Sequence, residues 1–255
     1  MLVLMPLRSL AFLLAAASFA QAQTAPNPFT LIDDLVTANR ILANEGVLDG
    51  YGHVSARNPA NPSHFFLARA VAPGLATASD IVEYDLDGKA VAGATTGAYL
   101  ERFIHGEIYR ARPDVMAVVH SHSPEVLPFA DTGVPLQPMH HMGFFIGQGV
   151  PVFEIRKFAP QSDMLVGTPE LGKALAATLG SKTAVLMRGH GAAIATTSLK
   201  LVVGMAYYLN LNARLQYQAM QLGGGKVTYL DAEESKRAAQ TYERNWDYWK
   251  SRLPK

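Results

Sequence analysis

The sequence predicts one α/β domain behind a short leader. Three observations point there. Stretches with apolar residues at three- and four-residue spacing alternate with short apolar runs prone to extended structure. No internal repeat or low-complexity linker divides the chain. The 255 residues suffice for a single large core.

Residues 1–22 read as a secretory leader. Arg8 is their only charge, Leu10 to Ala20 is an apolar run too short to span a bilayer comfortably, and Ala20-Gln21-Ala22 is a small-residue cleavage signature. Gln23 is then the expected start of a mature domain over 23–255, in the periplasm or secreted. The chain carries 22 basic and 21 acidic side chains and no cysteine. That balance gives no basis for a nucleic acid or an anionic membrane as partner. The lack of cysteine excludes disulfides and thiolate metal ligands.

Pro28 to Gly46 has helical spacing at Leu31, Leu35, Ala38, Leu42 and Ala43, with Gly46 placed as a C-cap. Gly50 to Arg57 follows, then strands over His64 to Ala70 and Ile81 to Tyr84 and a turn at Asp85 to Gly88 leading into Lys89 to Val91. Arg69 reads as an exposed strand residue within reach of an anion. Glu101 opens a helix that also carries His105 on the same face, four residues on. Glu107, Arg110 and Arg112 point elsewhere, and Pro113-Asp114 ends the helix.

Val115 to Val119 is a buried strand ending in His120-Ser121-His122. Side chains alternate along a strand, so the two imidazoles share a side and form half of a metal site. Another apolar run, Thr183 to Met187, delivers His190 between Gly189 and Gly191, and Ala192 to Ala195 continues it. A helix begins at Ser123-Pro124 and runs to Ala130. Pro151 to Ile155 is a strand, and Thr168-Pro169 opens a helix ending at Gly180. Ser198 to Gly223 is a long helix with Leu199, Val202, Val203, Ala206, Leu209 and Ala213 on its core side and Tyr207, Tyr208 and Tyr217 as packing groups. Asp231 to Leu253 reads as one amphipathic helix whose Tyr242, Trp246 and Trp249 dock on something, a neighbouring subunit being one option. Taken singly, each histidine is equally readable as a hydrogen-bonded core residue.

The order Glu101, His120-Ser121-His122, His190, in its helix and strand context, resembles the class II aldolase/adducin family over about Leu31 to Leu222. The resemblance implies an α/β/α sandwich with a largely antiparallel or mixed central sheet. It implies that His120, His122 and His190 hold a divalent metal, with Glu101 beside it as ligand, acid/base or both. Zinc is the first expectation, and manganese, cobalt and iron suit the same donors. It also implies a homotetramer in which a neighbouring subunit completes the site. His140 or His141 is the candidate for a substrate-side acid/base group.

Two departures from the family pattern bear on substrate. His53 stands where an asparagine usually helps hold a phosphate. Tyr99 and Leu100, after Thr96 and Gly97, replace two phosphate-binding serines before the glutamate. His53, Tyr99 and His105 are therefore candidate substrate-side residues, with a hydrogen-bonded supporting role open for His105. A small, non-phosphorylated hydroxy or oxo acid, flat or aromatic, fits better than a sugar phosphate. A metal in such a site stabilises electrons left by carbon–carbon cleavage, which makes a lyase, aldolase or decarboxylase, the expected enzyme. A sugar aldolase or epimerase, a non-catalytic adducin-like module, and iron–oxygen chemistry are the alternatives.

Overall fold

The computed structural model describes residues 28–92, 97–239 and 241–254. The expected leader, its expected cleavage point before Gln23, and Thr96 lie outside them.

The chain opens with helix α1 (Pro28–Asn44). Gly46 follows at φ 71°, the left-handed conformation a helix C-terminus favours. Three antiparallel strands come next: β1 (His53–Arg57), β2 (His64–Ala68) and β3 (Ile81–Asp85). The segment after the turn at Gly88 makes only an isolated bridge, Tyr84 to Ala90. Helix α2 (Arg102–Ala111), with Glu101 at its N-cap, leads into β4 (Ala117–Ser121). Then come α3 (Leu127–Thr132), β5 (Val152–Phe153), α4 (Pro169–Leu179), β6 (Ala184–Met187), β7 (Gly191–Thr196) and α5 (Leu199–Leu222). Thr168 and Ser198 cap α4 and α5 by accepting from Leu171 and Leu201 N–H.

The seven strands form one mixed sheet in the order β3-β2-β1-β4-β7-β6-β5, antiparallel at every neighbour except β5 with β6. Strand alternation divides the core in two. Val54, Ala56, Ala117, Val119, Ala192 and Ile194 pack with α1 and α5 on one face. Phe65, Leu67, Val118, Val185, Ala193 and Ala195 pack with α2 and α4 on the other. The result is the expected helix–sheet–helix sandwich. By the same alternation His53 and Ser55 of β1 and His120 of β4 face α2, so the polar residues of the central strands gather under one helix.

Three sequence expectations are corrected. Ser123 does not cap a helix: Pro124 to Val126 form a turn, and α3 starts at Leu127, with Pro128 in its first turn. The run after His190 does not continue its strand. It folds back as β7 antiparallel to β6, so His190 sits in a tight turn. The C-terminal segment is two helices, α6 (Ala232–Arg237) and α7 (Glu243–Ser251), broken where Tyr242 takes φ 60°. Its aromatics are covered within the chain: Tyr242, Trp246 and Trp249 are buried, and Trp249 lies against Tyr207 of α5.

Candidate metal centre and adjoining cavity

His120 lies near the end of β4 and His122 just beyond it, His190 comes from the β6–β7 turn, and Glu101 from the N-terminus of α2. The turn depends on its glycines. Gly189 has φ 65°, and a Cβ on Gly191 would stand 2.0 Å from Ser121 O. Only glycine lets β7 approach β4 so closely.

One nitrogen or carboxylate oxygen from each of the four residues lies within 4.8 Å of the others. Nε2 of His122 is 3.2 Å from Nε2 of both His120 and His190. Glu101 Oε2 is 3.3 Å from His120 Nε2 and 3.4 Å from His190 Nε2. A tetrahedral ion with bonds of about 2.0–2.1 Å sets its ligand atoms about 3.3–3.4 Å apart.

The other ring nitrogens support the same arrangement. Nδ1 of His120 meets Ala192 O at 3.1 Å, Nδ1 of His122 meets Asp49 Oδ2 at 3.2 Å, and Nδ1 of His190 meets Met164 O at 2.9 Å. Each acceptor calls for a proton on Nδ1, which leaves three Nε2 lone pairs facing one another. Such a cluster is stable around a cation. These residues fit a divalent ion.

Electrostatics favour an ionised carboxyl beside it. Burial alone would raise Glu101, but His120 and His190 outweigh burial and hold the carboxyl far below its usual range. Its Oε1 accepts from Val166 N–H at 2.9 Å, so the carboxylate has a fixed direction. Burial works against a charged His190, yet Glu101 keeps it above its ordinary value. For Asp49 too burial is the largest influence and would raise it. The Tyr51 and Gly52 N–H groups and His122 more than offset that and lower it.

A cavity of about 450 Å³ opens beside the cluster and includes Glu101 and His122 in its wall. Its remaining described lining is Gly50, Tyr51, His53, Ala70, Val71, Ala72, Ala98, Tyr99, Leu100 and Leu165. No serine, threonine, lysine or arginine stands among these described residues. Tyr99 is a wall, since its hydroxyl is committed to Val71 O and burial pushes its phenol up to about 12. Arg69 pairs with Asp80 at 2.7 Å and is not in the lining.

His53 faces the cavity as expected, but His105 does not. It is wholly buried behind His53, bonded to it at 2.7 Å and to Ser55 at 2.6 Å. It supports the wall and cannot touch substrate. His140 and His141 are also not brought to the cluster within one chain. Their rings lie against each other at a tilt, with centroids 4.6 Å apart, and His141 lines a separate cavity with Tyr242 and Asn245.

Sequence reasoning missed Asp49, Ser55 and Tyr109. Two left signals: Ser55 is two residues after His53 on one strand, and Tyr109 is four after His105 on one helix face. Asp49 left only the turn signal of Asp49-Gly50.

Fold and site together define an α/β domain with a three-histidine, one-carboxylate cluster suited to a single divalent ion. The chain belongs to the class II aldolase and adducin N-terminal domain family, whose family model matches residues 33–217. It is similar to the decarboxylase tropJ of Talaromyces stipitatus, 41% identical over 200 residues covering 73% of this chain and 75% of that one. It is also similar to the 3,4-dihydroxyphthalate decarboxylase of Arthrobacter keyseri, 35% identical over 78% of this chain and 82% of that one. The crystal structure of an aldolase II superfamily protein from Pseudomonas syringae superposes with a TM-score of 0.76, at 23% identity over 91% of this chain and 94% of that one, and shares the fold. The relatives support a lyase of this family.

Proposed function

We propose that the protein is a divalent-metal-dependent decarboxylase of a non-phosphorylated aromatic acid carrying a hydroxyl next to its carboxylate. One observation carries this reading. The cavity beside the cluster is walled by Tyr51, Val71, Tyr99, Leu100 and Leu165, with no phosphate-anchoring side chain among its described residues. A flat ring fills such a slot, and a sugar phosphate would leave its dianion unpaired there. The two decarboxylase relatives favour the same direction, one of them named for a dihydroxylated aromatic acid.

His120, His122 and His190 would hold the ion. It would supply positive charge to the substrate's adjacent oxygens as the ring carbon takes up the electron pair of the breaking carbon–carbon bond. The chain's own residues do the rest. Tyr99 and Leu100 fix the plane of the ring and exclude water. Glu101 Oε2, beside the cluster, conveys a proton from water to the ring carbon after carbon dioxide leaves. Net, the substrate exchanges its carboxylate for hydrogen. Zinc as the ion, removal of residues 1–22 with export to the periplasm, and assembly as a homotetramer belong to the same reading.

The test measures metal content and carbon dioxide release together. The protein purified without added metal should carry about one equivalent per chain. It should release carbon dioxide from 3,4-dihydroxyphthalate or a related hydroxyaromatic acid, and Glu101→Gln should lower kcat by about 10²–10⁴-fold. Cleavage of a ketose 1-phosphate with no turnover of any hydroxyaromatic acid would replace this reading with a sugar aldolase.

A further inference from the structure

Behind the cavity wall runs an unbroken line of four hydrogen-bonded side chains. His53 Nδ1 meets His105 Nε2 at 2.7 Å, His105 Nδ1 meets Ser55 Oγ at 2.6 Å, and Ser55 Oγ meets the Tyr109 hydroxyl at 2.7 Å. None of the four residues is more than 1% exposed. The line starts at a residue that faces the cavity and ends in the core, and nothing in the reaction as derived above uses it.

Such a line can be protonated in two senses. In one, Tyr109 donates to Ser55, Ser55 to His105 Nδ1, and His105 Nε2–H to His53 Nδ1, so that His53 carries its proton on Nε2. In the other every bond is reversed, and the Tyr109 hydroxyl must find another acceptor. Its ring lies against the Phe65 ring at 5.5 Å and under the Arg57 guanidinium at 4.7 Å, neither of which accepts, and the Val118 backbone bonds to its hydroxyl in the sense that lowers the phenol, as a donor does. A buried donor without an acceptor forfeits its desolvation cost, so the first sense prevails.

We infer that Tyr109, Ser55 and His105 are positioning residues that lock His53 as the Nε2–H tautomer, and that this N–H is the neutral donor that holds the substrate's carboxylate in the cavity. The donor role rests on the decarboxylase reading, whereas the tautomer does not. Because Nδ1 of His53 accepts from His105, the ring carries a single proton, on Nε2, and is an uncharged donor. A neutral donor suits this reaction. The carboxylate loses its charge as it becomes carbon dioxide, and an uncharged N–H orients it without adding to the positive charge the ion would supply. The absence of lysine and arginine from the described lining agrees.

Nitrogen NMR of the full chain labelled with ¹⁵N-histidine tests the tautomer in the metal-free and zinc-loaded protein. His53 should show a protonated Nε2 and a bare Nδ1. Ser55→Ala should convert this to a mixture, and Ser55→Thr, which keeps the hydroxyl, should restore it. In the zinc-loaded protein Ser55→Ala should weaken binding of salicylate by the reciprocal of the fraction of His53 that keeps its proton on Nε2, about twofold for an even mixture. With an active substrate it should raise KM by a similar factor and leave kcat unchanged. A proton on Nδ1 of His53, or a tautomer unmoved by Ser55→Ala, would overturn the lock. Unchanged salicylate affinity in a variant whose tautomer has become mixed would overturn the donor role. A wild type that binds salicylate but turns over no hydroxyaromatic acid would sink the decarboxylase reading and leave the tautomer standing on the spectra.

Discussion

Two groups of histidines lie side by side under α2, and their rings are in contact: His53 and His120 have centroids 5.2 Å apart. Their chemistry differs because their second nitrogens differ. In His120, His122 and His190 every Nδ1 has an oxygen acceptor and every Nε2 points at another lone pair. In His53 and His105 nitrogen meets nitrogen in a donor–acceptor pair, and the line ends on hydroxyls. The first group is complete only with a cation, and the second is complete without one. Proximity, burial and aromatic contact are shared, so none of them separates a ligand histidine from a supporting one. The partner of the far nitrogen does.

The largest effect expected from this contrast is on metal content. His120→Ala combined with His122→Ala should leave less than about a tenth of the wild-type metal by elemental analysis, with the circular dichroism of the fold kept. His105→Phe should retain the metal stoichiometry. Equal loss in both would erase the distinction.

The second effect is on acid stability of the metal-free protein. Burial, foremost, holds His105 down to about 3 from its ordinary 6.5, and His53 is lowered in the same way. Below 6.5 the unfolded chain takes up protons on these residues and the folded one does not. The contribution of His105 is therefore complete above about 6.5 and declines as pH falls toward about 3, and that of His53 declines in the same direction. The decline is about 1.4 kcal/mol per pH unit for each histidine. Urea unfolding at a series of pH values measures it, and His105→Phe should flatten the slope by about one proton.

Smaller still is the expected cost of Asp49→Asn. The Asp49 carboxylate accepts from His122 on the side away from the cluster, and its neutral replacement should weaken zinc binding about tenfold or more in a competition titration. At the small end, Tyr99→Phe removes only the bond to Val71 O. It should cost about 1 kcal/mol in unfolding free energy and change kcat less than threefold. A large loss of kcat would make Tyr99 a chemical participant rather than a wall.

Much of the site was legible in the sequence because its residues obey local rules. Strand alternation puts His120 and His122 on one side, glycines isolate His190 in its turn, and helical spacing places Glu101 above His105. The partners were not legible. Ala192 O and Met164 O are backbone atoms that any residue type supplies, and Asp49 reaches His122 only because the loop before β1 folds over the end of β4. The same limit explains the elements that were misjudged. The apolar pattern after His190 is the same for a strand that continues and one that returns, and only the close approach to Ser121 decides. The C-terminal segment keeps helical spacing through Tyr242, yet the ring of Tyr242 packs beside Gly204 and Tyr208, and the backbone breaks to put it there.

The register of β4 has a consequence for how the chain folds. His120 pairs with His53 on one side and Ala193 on the other, and its Nδ1 acceptor, Ala192 O, is 72 residues away in sequence. The local pair His120 and His122 is half of the cluster, and Glu101 and His190 reach it only through the tertiary fold. The ligands come together only when the most non-local strand pairings close, which are the slow steps of a topology of this kind. Ion uptake during refolding should therefore trail secondary structure and coincide with burial of Trp246 and Trp249. The ion would act as a latch on the finished sheet and not as a nucleus for it.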